Sequence, residues 1–72
     1  MFDKKINGER LRRLRGDKTR EEVCTATGIG ISALSMYENG ERSPRDDIKE
    51  ILASYYNTTV GALFFNERVH SK

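Results

Sequence analysis

The residues able to do chemistry in this sequence are mainly cations, and they are unevenly spread. Residues 1–20 hold eight Lys or Arg against three Asp or Glu, a balance of +5. Residues 21–72 hold five basic and eight acidic residues, a balance of −3, so the two parts sum to the net +2. A basic front end on a near-neutral chain suits a polyanion partner, although a charge run also serves as a solvated helix face. Catalysis has little to work with. We find no nucleophile–base pair, no paired carboxylates set for a cleft, no Gly-rich phosphate loop and no metal-ligand cluster. The single cysteine, Cys24, cannot form an internal disulfide or a multi-Cys zinc site, and the single histidine, His70, lies near the C-terminus. No enzyme activity, cofactor or metal is expected.

Size limits the options further. Seventy-two residues, 36% of them apolar and 33% charged, suit one small domain. A chain this short buries only about 60% of the surface its unfolded form exposes, so the core is thin and a deep substrate cleft is not expected. No apolar run approaches the roughly 18 residues of a membrane span. No apolar segment of signal-peptide type follows the N-terminal charges. The expectation is a cytoplasmic, nucleoid-associated protein with no membrane partner, which fits one reduced Cys24.

The elements that must position the cations read as five short helices, with no period-2 strand signal. The first spans about residues 4–15, with Leu11 and Leu14 as an i,i+3 pair and Arg15 on the edge of that face. Gly16-Asp17 stops it. The second spans about 20–27, with Thr19 as N-cap and Glu22 completing a capping box, and Gly28 ends it. The third spans about 31–39 and ends at Gly40, with Leu34 and Tyr37 facing inward. For the fourth, Ser43 as N-cap, Pro44 at the first helical position and Asp46 at the third predict a start. It runs to about Tyr56 with Ile48, Ile51, Leu52 and Tyr55 buried. The fifth spans about 60–65, capped by Thr59, with Val60, Leu63 and Phe64 inward. Residues 1–66 are expected to form the domain and 67–72 a frayed tail.

The informative stretch runs from Thr19 to Pro44 and reads TREEVCTATGIGISALSMYENGERSP. An eight-residue helix, a three-residue turn centred on Ile29 and a nine-residue helix follow one another, a pattern that can set two helices at about 90–120°. Cys24 and Ala26 supply small residues for a close crossing, Gly28 lets the chain turn, and Ile29 plugs the space between the helices. This set resembles the helix-turn-helix domains of the phage-repressor and Cro type, the xenobiotic-response-element class. The matching residues are Val23-Cys24, Gly28, Ile29, Gly30, Leu34 and Glu38-Asn39-Gly40, continuing through Arg42 and Pro44 and then Thr59-Val60. The resemblance covers about residues 8–65. It implies an all-α, lambda-repressor-like bundle of five short helices that binds double-stranded DNA, with the third helix in the major groove.

On that reading the outward positions of the third helix are Ile31, Ser32, Ala33, Ser35 and Met36. Ser32, Ala33 and Met36 are expected to read bases, with Ile31 and Ser35 at the edge. Serine hydroxyls can meet several bases and apolar groups can touch a thymine methyl. The face lacks Arg, Gln and Asn, which departs from many relatives and points to weaker direct readout or more use of DNA shape. Alternatively, Ile31 and Met36 pack against a partner protein. Lys18, Arg20, Asn39, Arg42 and Arg45 are expected to hold phosphates, which set register but carry no sequence information. Arg20 stands where the family often carries a Gln that touches the backbone. The bland reading of Arg42 and Arg45 is solvation beside Glu41 and Asp46. The resemblance also makes Glu38 a structural ion-pair acceptor, with Arg15 as partner and Arg13 as the alternative. Cys24 is read as an inert buried thiol rather than a redox switch.

Family members commonly bind two-fold sites as dimers. A homodimer here would use the fifth helix and its flank. Phe65 with Tyr56 or Val69 offers an apolar contact patch, unless Phe65 only covers the base of the core. The resulting expectation is a sequence-specific DNA-binding regulator acting as a repressor. The rival is a protein-interaction module of the same fold, binding a toxin or another regulatory protein.

Overall fold

The computed structural model describes residues 3–65. Among the described residues five helices form, and several of their boundaries have a local cause. Helix α1 spans Lys4–Arg15, and its cap is Asp3, whose carboxylate accepts from the Lys5 and Ile6 N–H groups at 2.9 and 3.2 Å. Arg12, Arg13 and Arg15 crowd its last turn, where cations complement the helix dipole. Helix α2 spans Arg20–Thr27 and opens on the expected capping box: Thr19 Oγ1 accepts from Glu22 N–H, and Glu22 Oε1 accepts from Thr19 N–H, both at 3.1 Å. It closes at Gly28, whose φ of 81° is a left-handed conformation that glycine adopts without strain. Helix α3 spans Ile31–Glu38 and has no side-chain cap at Gly30. Helix α5 spans Val60–Phe64, with Thr59 Oγ1 accepting from Ala62 N–H at 3.0 Å.

The start of the fourth helix differs from the expectation. Helix α4 spans Asp46–Tyr55, two residues later than Pro44 would place it. Arg45 is the boundary residue, with extended φ −72° and ψ 169°, and its carbonyl accepts the first helical bond from Lys49 N–H at 2.8 Å. Ser43 and Pro44 therefore belong to the incoming loop, and Pro44 is buried. The residue before proline is held extended, and burying the ring takes precedence over starting a helix with it.

The core gathers Leu11, Val23, Ile29, Leu34, Tyr37, Leu52, Ala53, Leu63 and Phe64, which places one or more residues from every helix and the turn in a single cluster. Ile48, Tyr55 and Val60, expected inside, are half-buried and pack against it, and three further residues expected inward are exposed. Leu14 is exposed because the inner stripe of α1 runs Asn7, Gly8, Leu11 and then Arg15, which rotates the i+3 position outward. Ile51 is exposed because Ala53, on the other flank of Leu52, packs inward in its place. Ala26 is exposed because the buried side of α2 runs through Arg20, Val23, Cys24 and Thr27.

Two devices dock α1. At Gly8 an added Cβ would overlap the Glu38 carbonyl oxygen and lie 2.7 Å from that of Tyr37, so only glycine lets α1 cross the end of α3 this closely. Buried Asn7 donates from Nδ2 to the Phe64 carbonyl at 3.1 Å, and Arg10 Nη1 reaches the Leu63 and Ala62 carbonyls at 3.3 and 3.4 Å. The end of α5 thus has its carbonyls satisfied by α1 rather than by a capping turn. The tail 67–72, with His70 and Val69, lies outside the described residues. Among those described, no helix is long and apolar enough to cross a membrane.

Candidate nucleic-acid interface

Helices α2 and α3 form the unit on which the cations converge. Between them Gly28, Ile29 and Gly30 make the turn, and Ile29 is buried as the plug. Thr27 tightens the junction: its Oγ1 donates to the Val23 carbonyl at 2.7 Å and accepts from Ile29 N–H at 3.3 Å. Leu34 and Tyr37 anchor α3 in the core. Successive residues turn by about 100°, so Ser32 and Met36 lie opposite Leu34, with Ala33 and Ser35 on the two flanks.

The exposure follows that wheel. Ser32 and Met36 are exposed, and so is Ile31, which sits in the first turn ahead of the core. Ala33 departs from the expected outward placement: it is half-buried and packs against the core, because it neighbours Tyr37 one turn on. Ser35 is also half-buried, on the flank that meets α2.

The electrostatic centre of the unit is Glu38. Its side chain is 0% exposed and accepts three hydrogen bonds. Arg15 Nε donates to Oε2 at 2.8 Å, Arg15 Nη2 to Oε1 at 3.0 Å, and Arg20 Nε to Oε1 at 3.0 Å. Burial alone would push the carboxyl up, but the bonds from Arg15 and Arg20 outweigh it and hold Glu38 below its ordinary range. The same bonds push Arg15 above its ordinary value, against its partial burial. Arg15 also donates from Nη1 to the Lys18 carbonyl at 2.9 Å, which ties the loop before α2 to α1. Arg13 is exposed and takes no part. Behind the pair, the Tyr56 hydroxyl is buried without a hydrogen-bond partner among the described residues, and burial together with the nearby Glu38 charge raises it to about 12.

The five cationic or amide candidates fall into two sets. Lys18, Arg42 and Arg45 are exposed, and neither Arg42 nor Arg45 forms an ion pair with another described residue, Glu41 and Asp46 included. Arg20 and Asn39 are tied into the scaffold. Arg20 spends Nε on Glu38 and donates from Nη1 to Ser35 Oγ at 3.0 Å. Asn39 Oδ1 accepts from Arg12 Nη2 at 2.8 Å, which leaves its amide N–H groups to donate elsewhere. Arg12 is a residue that sequence reasoning missed. Its signal was its place one turn after Gly8, on the side of α1 that meets the end of α3. Asn7 was missed too, though a lone amide one turn before Leu11 on an inner stripe was readable as a buried donor. Cys24 is half-buried rather than fully buried, and burial, with Glu21 and Glu38 adding to it, raises its thiol.

Comparison with known proteins agrees with this geometry. Residues 8–63 match the family described as helix-turn-helix domain, which takes in α2, the turn and α3 and most of what surrounds them. The cryptic phage CTXphi transcriptional repressor RstR of Vibrio cholerae is 35% identical over 63 residues, covering 88% of this chain and 54% of the repressor. The chain thus spans about half the length of that relative. A glycine-linked pair of helices with a buried plug, a second helix anchored by Leu34 and Tyr37, and matching sequence through 8–63 together place the chain in the helix-turn-helix domain family, of the phage-repressor type.

Proposed function

We infer that this chain is a sequence-specific double-stranded DNA-binding transcriptional regulator that acts as a repressor. The observation that carries the reading is the exposure of Ser32 and Met36 on α3, with Lys18, Arg20, Asn39, Arg42 and Arg45 within and around the α2–α3 stretch of the sequence. In this reading α3 enters the major groove. Ser32 and Met36 touch base edges, Ile31 and Ser35 work at the rim, and Ala33 adds a methyl at the side. Lys18, Arg20, Asn39, Arg42 and Arg45 hold phosphates and fix the register. Arg20 does so through Nη2, which the protein leaves over. The phage repressor that resembles this chain supports the assignment to transcriptional repression.

A two-fold site is read by a homodimer. Phe65 and Tyr56 offer the surface for it: Phe65 is exposed, Tyr56 is half-buried, and Lys49 Nζ sits 4.8 Å from the Phe65 ring centroid.

Selection from random double-stranded DNA with the purified protein tests the reading. The expected result is a two-fold motif with half-sites about one helical turn apart. With four cationic contacts per subunit, log K against log salt for the dimer should have a slope of about −7. A folded protein that enriches no motif and shows a flat salt response would overturn the reading in favour of a protein-binding module.

A further inference from the structure

The contact between Arg20 and Ser35 bears on what α3 can read. A serine hydroxyl has one hydrogen to give and two lone pairs to receive. Within a helix that hydrogen is commonly donated back to the carbonyl four residues earlier, as Thr27 does to Val23 at 2.7 Å. Ser35 behaves differently. Its oxygen accepts from Arg20 Nη1 at 3.0 Å, and its own hydrogen has no acceptor among the described residues. Arg20 is itself held in place, because Nε is bound to the buried Glu38 carboxylate at 3.0 Å. The chain Glu38, Arg20, Ser35 therefore runs from a buried charge to the flank of α3.

We propose that Arg20 is a specificity-positioning residue: it occupies Ser35 Oγ as an acceptor, so that Ser35 meets DNA as a hydrogen-bond donor. This rests on the reading that α3 enters DNA. A free serine is ambivalent and can donate or accept. A serine whose oxygen already receives a guanidinium hydrogen selects an acceptor: N7 or O6 of guanine, N7 of adenine, or O4 of thymine. It discriminates against the amino groups of cytosine and adenine. The effect is distinct from any phosphate contact that Arg20 makes through Nη2, because it passes through Ser35 and disappears when the hydroxyl does.

The test is a double-mutant cycle on selected DNA with Arg20→Met, Ser35→Ala and the double variant. Arg20→Met keeps the apolar stem and leaves Glu38 with both bonds from Arg15. Ser35→Ala should weaken the best site about five-fold, the worth of one hydrogen bond. Arg20→Met should keep that bond at the best site, where a free Ser35 still donates, but lose the discrimination against amino-bearing bases at the Ser35 position, together with a unit of salt slope for its phosphate contact. In the Ser35→Ala background it should lose only the salt-dependent part. If Ser35 meets a base, both single variants flatten preference at the same position of the motif. If Ser35→Ala instead lowers affinity alike on all sequences, Ser35 meets a phosphate and the proposal is overturned. Effects on that base preference that multiply to within about two-fold would overturn the proposal while leaving DNA binding in place. A wild-type chain that selects no DNA would overturn both readings. NMR of the Arg20 guanidinium in the free protein guards against a variant that fails to fold. Rotation about Nε–Cζ should be restricted in the wild type and freer in Ser35→Ala, and free rotation in the wild type would overturn the latch.

Discussion

Replacing Glu38 with Gln is the perturbation whose effect the structure sets most sharply. The carboxylate is 0% exposed and accepts three guanidinium hydrogens, two from Arg15 and one from Arg20. Glutamine keeps one acceptor oxygen and turns an amide donor toward a guanidinium that also donates. Removing one partner of a fully buried pair typically destabilises by about 3–5 kcal/mol. The arginines here are not fully buried, with side chains 17% and 31% exposed, so both recover part of their hydration. We therefore expect about 2–3 kcal/mol, against a total of about 4–10 kcal/mol for a chain of this size. At about 4–8 °C per kcal/mol for a domain this small, Tm should fall by at least about 8 °C. The pH dependence supplies the sign. Glu38 is held below its ordinary range, so its stabilisation is full above the unfolded carboxyl value and is lost as pH falls through the folded one. The gap between wild type and Glu38→Gln should thus be widest near neutral pH and close on acidification. Thermal unfolding followed by circular dichroism from pH 7 to pH 3 measures it. A Tm change under about 2 °C at pH 7, or a gap that does not narrow with acid, would refute the reasoning. The same assay should rank Arg15→Met as more damaging than Arg20→Met, since Arg15 makes two of the three bonds and is the less exposed of the two.

Other consequences follow from single contacts. Gly8→Ala should destabilise by more than about 3 kcal/mol, because its Cβ meets the Glu38 and Tyr37 carbonyls and no flexible side chain can yield; a variant melting within a few degrees of wild type would contradict the helix crossing. Replacing Ser32 and Met36 together by Ala should change the selected motif and leave Tm within about 4 °C, as both are exposed surface positions; an unchanged motif would move the reading face elsewhere on α3. Arg42→Ala should lower affinity alike for all sequences and reduce the salt slope by about one per subunit, measured by fluorescence anisotropy across a salt series; a changed motif with an unchanged slope would make Arg42 a base reader instead.

Much of this architecture was legible in the chain because its boundaries are written locally. Thr19 with Glu22, Gly28, Gly40 and Thr59 each act on neighbours within four residues, and all act as their types suggest. The misplaced start of α4 shows the limit of such signals. Ser43-Pro44 is a sound helix opening in isolation, but the loop buries Pro44 and Arg45 holds the boundary. The rotations of α1, α2 and α4 were illegible for a related reason. Whether Leu14 or Arg15 faces inward depends on what α1 packs against, and Gly8 settles that only once the end of α3 lies across it.

The interface shows the same division with more consequence. The types and spacing around α3 indicate which residues are near a ligand, but not how the donors are shared. Glu38 is one acceptor with two arginines in reach, from different helices. Read along the chain, Arg20 is a cation at the exposed start of α2, a natural phosphate contact. Folded, it lies against a buried carboxylate that Arg15 only partly satisfies, and two of its nitrogens are drawn inward. A charged group near a surface goes first to a fixed, desolvated opposite charge, because that interaction is screened least. Arg42 and Arg45 have no such acceptor and stay outward. The difference between an arginine that stays outward and one whose nitrogens are drawn inward therefore lies in the position of Glu38. That position is a product of the packing of α1 against α3, which no spacing within the α2–α3 stretch could reveal.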